Sequence, residues 1–103
     1  MLKGYWIATV DVSDVDGMKK YSQGNRAALK RYGARFIVRH GRQRIVEGAS
    51  RSAQTLIEFP SYDAAIAAYE DPEYQAAAKF RHESAKGDLV IVEGYDGPFE
   101  VGE

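Results

Sequence analysis

GYWIATVDVSDVDGMKKYSQGNRAALKRYGARFIVRH, residues 4–40, decides the fold. Its opening nine residues are aromatic and β-branched, the composition of a strand. Ser13, Asp14 and Asp16 then give a helix start, with acids where the dipole of the first turn favours them. Met18, Tyr21, Asn25, Ala28, Leu29 and Tyr32 recur at three- and four-residue spacing, which is one face of a helix. Lys30 and Arg31 fall in the last turn, and Gly33 supplies a left-handed C-terminal cap. A second strand is predicted over residues 35–40. The stretch therefore reads strand, helix, strand.

Working outward, Gly41 marks a bulge or bend, after which the second strand is predicted to continue through Arg44, Ile45, Val46 and Glu47. Residues 48–51 form a turn and residues 52–59 a third strand. Pro60 and Ser61 end that strand and open a helix through Tyr69. Asp71-Pro72 breaks it and restarts it, with Asp71 as N-cap and Pro72 at the first helical position. This second piece is predicted to reach about residue 86 and to stop at Gly87, before a last strand over residues 88–93. Residues 1–95 read as one domain and residues 96–103 as an acidic tail. The order βαββαβ predicts an α+β, ferredoxin-like fold: a four-stranded antiparallel sheet with the helices on one face.

At 103 residues the chain has the length of one domain, and 45% hydrophobic residues make disorder throughout untenable. The absence of cysteine rules out a disulfide framework and a thiolate metal site. No apolar signal segment opens the chain and no apolar run approaches a membrane span. The expectation is a cytoplasmic protein with no membrane partner and no cofactor. The net charge of −1 hides an asymmetry. From Arg26 to Arg51 there are eight basic residues and one acid, Glu47, so that segment is +7 and the remainder −8. Such a segment either attracts an anion or pairs with the acidic remainder.

Alternation sorts the strands into two faces. Trp6, Ala8, Val10, Val12, Phe36, Val38, Thr55, Ile57, Phe59, Val90 and Val92 form one set, which is predicted to lie under the helices. Tyr5, Ile7, Thr9, Asp11, Ile37, Arg39, Gln54, Leu56, Glu58, Leu89, Ile91 and Glu93 form the other. Ile7, Ile37, Leu56, Leu89 and Ile91 would leave an apolar patch on the open sheet face of a monomer. Packing that face on its own copy removes the patch, so the chain is expected to be a homodimer through the sheet face.

The segments GYWIATVDV, RYGARFIVRHG, VEG, LIEFPS, YEDPEYQAA and GDLVIVEGY, in that order, resemble the domain-of-unknown-function family 1330 over about residues 3–95. The resemblance implies a dimeric α/β barrel. The wider superfamily includes cofactor-independent monooxygenases of antibiotic biosynthesis, muconolactone isomerase and haem-degrading enzymes. Relatives often carry a second glycine after the arginine, where this chain has His40.

By parity Arg39 and Glu58 share the open face on adjacent strands. Either Arg39 holds an anion with Glu58 as acid or base of raised pKa, or the two form an ion pair. Tyr5 and Thr9 share that face, to contact a ligand or to rim an interface. His82, between Arg81 and Glu83, is a further acid–base candidate or an exposed helical histidine. A pocket between the sheet and the second helix would be lined by Tyr21, Asn25, Tyr69 and Tyr74 near Arg81, with Trp6 at its base; the same aromatics can equally form a core cluster. No metal site is expected from His40 alone. Nucleophile, phosphate-loop and dinucleotide signatures are missing. Three functions compete: a cofactor-independent oxygenase, isomerase or lyase acting on a small organic molecule; a non-catalytic ligand-binding or stress-related dimer; and RNA binding. The last is disfavoured because the third strand, AQTLIEF, lacks the RNA-recognition pattern, so no nucleic-acid partner is expected.

Overall fold

A computed structural model describes residues 1–102. The elements run β1 (Gly4–Val12), α1 (Val15–Arg31), β2 (Arg35–Arg39), β3 (Ala53–Phe59), α2 (Tyr62–Glu70), α3 (Pro72–Ser84) and β4 (Ala85–Glu93). All strand pairs are antiparallel and the sheet order is β2-β3-β1-β4, the ferredoxin-like arrangement. No helix is long and apolar enough to cross a membrane among the described residues.

The helix ends follow local chemistry. Asp14 caps α1 by accepting from the Gly17 N–H, Ser61 caps α2 through the Ala64 N–H, and Asp71 caps α3 through the N–H groups of Glu73 and Tyr74. Gly33, at φ +77°, lets the chain turn out of α1 while its N–H bonds Lys30 O and Ala34 N–H bonds Leu29 O.

Two strands depart from the expected limits. β4 starts at Ala85 rather than residue 88, because β1 pairs with it along its whole length, from Gly4 opposite Glu93 to Val12 opposite Ala85. Gly87 thus lies inside a strand, where a Cβ would stand 2.5 Å from Thr9 O. β2 ends at Arg39 and does not resume at residues 44–47. His40 turns the chain out of the ladder at φ +52°, its N–H making a last bond to Gln54 O, and β2 is an edge strand, so among the described residues no further strand pairs beyond it.

The pairing also corrects the faces. Trp6 stands opposite Ile57 and Ile91, and Ala8 opposite Thr55 and Leu89. Leu89 and Ile91 therefore pack under the helices, against the core, and Val90 and Val92 take the open face. In β2 the register shifts between Phe36 and Val38, leaving Ile37 as an extra residue. That bulge reverses the parity after it, so Val38 pairs with Leu56 on the open face and Arg39 with Thr55 on the helix face.

The core is Trp6, Ile57 and Phe59 from the sheet, Ala28 and Leu29 from α1, Ala65 and Ala68 from α2, and Tyr74 and Ala78 from α3. α1 and α3 pack through small residues. A Cβ on Gly24 would touch Ala77, and one on Gly17 would stand 1.8 Å from Ser84 Oγ and 2.9 Å from its Cβ. Gly17→Ala is therefore expected to cost about 1–3 kcal/mol through overpacking, read as a melting temperature lower by roughly 5–20 °C. Ser84→Gly in the same chain is expected to recover most of it; a double variant no more stable than Gly17→Ala alone would contradict this seam.

Candidate functional site

α1 is drawn onto α3 by that glycine seam, and a cleft of about 520 Å³ opens between α1 and the helix face of the sheet. The strand register explains its floor. One row across the sheet is Phe36, Ile57, Trp6 and Ile91, all bulky. The next is Arg39, Thr55, Ala8 and Leu89, with small side chains at its two central positions. Ala8 and Thr55 fail to fill the space below α1, and Met18, Ser22, Asn25 and Arg26 form the opposite wall.

Asn25 is the polar group at which this wall stands out. It is 7% exposed and lines the cleft. An amide offers two donors and an acceptor, so a ligand or water in the cleft has polar positions to meet there. Arg39 reaches the same space with its guanidinium carbon 4.1 Å from the centre of the Phe36 ring. His40, Lys19 and Arg81 complete the polar lining.

Behind the floor lies a tight aromatic group. Trp6 is buried, its indole N–H donating to Ala65 O at 2.9 Å, with ring centroids 5.1 Å from Phe59, 4.9 Å from Tyr74 and 6.0 Å from Tyr69. Tyr74 is wholly buried; its hydroxyl is 2.9 Å from the Tyr21 hydroxyl and accepts from Arg81 at 3.2 Å. Tyr69 and Tyr74 thus stand behind Trp6 and not in the cleft wall, whereas Trp6, Tyr21, Asn25 and Arg81 line it.

Burial first, and then the neighbouring Tyr21, push the Tyr74 phenol far above its ordinary value. Its neutral form is favoured in the folded state, so the stability it contributes is complete below about pH 10 and is lost as pH rises further. The unfolding free energy obtained from urea titrations is expected to fall above pH 10 by about 1.4 kcal/mol per pH unit from this group alone. The fall should be shallower in Tyr74→Phe; equal slopes would contradict it.

The catalytic candidates fall in three places. Glu58 is on the open face, accepting from the Tyr5 hydroxyl at 3.1 Å and from Arg35 at 3.4 Å. Burial and the Glu58 carboxylate raise the Tyr5 pKa. Arg39, expected to share a face with Glu58, is turned to the opposite face by the bulge at Ile37, and the register sets Arg35 opposite Glu58. Thr9 stays on the open face, its hydroxyl accepting from Gln54 at 3.1 Å. His82 is exposed, with Nε2 3.2 Å from an Arg81 nitrogen, and borders a separate polar hollow with Arg51, Lys86 and Asp88.

Lys19, Ser22, Arg26, Phe36, His40 and Thr55 line the cleft and fall outside the expected set. The sequence signal for them is the small pair Ala8 and Thr55 in otherwise bulky strands, which becomes readable only with the register. Among the described residues no group of three or more His, Asp or Glu side chains is placed to hold a metal ion.

Comparison with known proteins places this geometry. No curated protein matches the chain. Among solved structures it is similar to a protein of unknown function from Rhodopseudomonas palustris, with 15% identity, a TM-score of 0.75, and 93% of this chain and 85% of that one covered. It is also similar to SnoaB, a cofactor-independent oxygenase from Streptomyces nogalater, at 10% identity and a TM-score of 0.60, covering 97% of this chain and all of that one. A dimeric protein of unknown function with a ferredoxin-like fold from Bacteroides fragilis shares 17% identity at a TM-score of 0.55, over 88% of this chain and 95% of that one. At these identities the likeness is one of fold. The model of a domain of unknown function, DUF1330, matches residues 3–95, and the chain belongs to that family.

Proposed function

We propose that the protein is a homodimer that binds a small organic molecule in the cleft between α1 and the sheet. The observation that carries this reading is Asn25, a polar side chain 7% exposed that lines an apolar-floored space of ligand size. A cleft of this volume accommodates a molecule of one to three rings, with Trp6, Ala8, Ile57 and Leu89 below it.

Binding is better supported than a particular reaction. Glu58, Arg39 and His82 do not meet, so they do not form one catalytic constellation. The likeness to SnoaB supports an oxygenase of the cofactor-independent kind as the enzymatic form of the same proposal; His40 is then the histidine beside the bound molecule. The dimer is supported by an apolar row across the open face, Val38, Leu56, Ile7 and Val90, and by the dimeric Bacteroides fragilis relative.

Trp6 is the sole tryptophan and forms part of the cleft floor, so its fluorescence reports occupancy. Titration with 1-aminoanthracene, a neutral planar fluorophore, is expected to quench Trp6 saturably. Ala8→Phe, which fills the floor, should abolish that response while retaining a cooperative melt, and Ser22→Phe, which fills the opposite wall, should do the same. Saturation by the wild type that both variants retain would place the ligand elsewhere, and no saturable response would sink the reading.

A further inference from the structure

We infer that the cleft selects an anion, a flat apolar body carrying one carboxylate. The inference rests on the reading of the cleft as a ligand site and adds the charge of the ligand.

Every fully charged side chain lining the cleft is cationic: Lys19 and Arg26 from α1, Arg39 from β2 and Arg81 from α3. Among the described residues no Asp or Glu lines it, in a chain with 15 acidic and 14 basic residues. Acids are thus plentiful and are placed elsewhere. Outside the cleft three arginines meet them: Arg31 pairs with Asp71 and Glu73, Arg35 with Glu58, and Arg51 with Asp11 and Asp88. Among the described residues the four cleft cations make no ion pair. Of the eight basic residues from Arg26 to Arg51, Arg31, Arg35 and Arg51 are thus paired with acids, while Arg26 and Arg39 are turned to the cleft.

The bulge at Ile37 brings about that division for Arg39. Without the extra residue, Arg39 would stand on the open face opposite Gln54. With it, Arg39 lies on the helix face, stacked on Phe36, and its N–H groups have no carboxylate to meet. Bulges recur beside binding sites because they re-aim one side chain without disturbing the rest of the sheet. A stacked guanidinium keeps its donor edge free for a two-point contact with a carboxylate, which an amide or alcohol cannot match in strength. The Asn25 amide offers a further donor in the same space. Where water is partly excluded, such contacts are worth more than at an open surface.

The test uses the full-length protein and three probes of one shape: 1-naphthoate, 1-naphthamide and 1-naphthylmethylammonium. By calorimetry or Trp6 quenching, naphthoate is expected to bind about tenfold tighter than the amide, and the ammonium weakest of all. Raising salt should narrow the gap. Arg39→Gln should remove most of the preference and leave the amide Kd within about twofold, and Lys79→Gln, an equal loss of charge on the outer surface of α3, should change none of the three. Arg26→Gln repeats the test should Arg39→Gln melt early. If no probe binds, the ligand-site reading itself fails. If naphthoate and naphthamide bind equally, or if both arginine variants keep the wild-type ratio, the site stands and its selectivity for an anion is wrong.

Discussion

Trp6→Ala is expected to lose about 3–5 kcal/mol of folding stability, a large share of the roughly 5–15 kcal/mol available to a small domain. Trp6 is 1% exposed and contacts residues from three elements at once: Phe59 in β3, the Ala65 carbonyl and Tyr69 in α2, and Tyr74 in α3. Truncation removes the largest side chain of the core and leaves a cavity that the surrounding rings cannot close without moving α3. Trp6→Phe retains one aromatic ring and loses the second ring with its N–H bond to Ala65 O, so it should cost clearly less than Trp6→Ala. Urea unfolding followed by far-ultraviolet circular dichroism checks both. A Trp6→Ala midpoint within experimental error of wild type would show that the helices hold together without this anchor.

The second large effect concerns assembly. Ile7 stands opposite Leu56 on one side and Val90 on the other, and Val38 completes the row beyond Leu56. Ile7 is 46% and Val90 57% exposed in the single chain. Burial of side chains of this size contributes about 1.5–3 kcal/mol each. The flanking row holds Arg35, Glu58, Tyr5 and Val92, so an apolar stripe is bordered by a bonded polar cluster, as in the centre and rim of an interface. Ile7→Asp puts a carboxylate at the middle of the stripe and, in a two-fold contact, sets it near its own copy. By analytical ultracentrifugation at micromolar concentration the wild type is expected at twice the 11.5 kDa chain mass. Ile7→Asp is expected at the chain mass, still folded. A monomeric wild type, or a dimeric Ile7→Asp, would remove the sheet-face dimer.

How far the sequence carried depended on where its periodicity was unambiguous. β1 and β3 alternate cleanly, and their faces are those expected, with Trp6, Ala8 and Val10 opposite Ile57, Thr55 and Ala53. The helix caps at Asp14, Ser61 and Asp71 were equally legible, since each is a local signal. In β4 the run Leu89-Val90-Ile91-Val92 is apolar on both parities, so only pairing with β1 decides which pair is buried. The bulge at Ile37 has no mark in the residues around it, and it puts Arg39 on the face away from Glu58, whose ladder partner is Arg35. The candidate site was legible in part. Asn25 is a polar interruption of an apolar helix face, and that signal survives in the structure. The contribution of Ala8 and Thr55 is an absence of bulk, which means nothing until the strands are aligned.

The proposed function depends on whether the space beneath α1 receives a ligand. Amide chemical-shift mapping of nitrogen-15-labelled protein during titration with 1-naphthoate tests this most directly. Shifts concentrated at Ala8, Met18 to Arg26, Arg39, Thr55 and Leu89 are the predicted result. Shifts confined to Tyr5, Ile7, Glu58 and Val90 on the opposite sheet face, or no shifts at all, would contradict it.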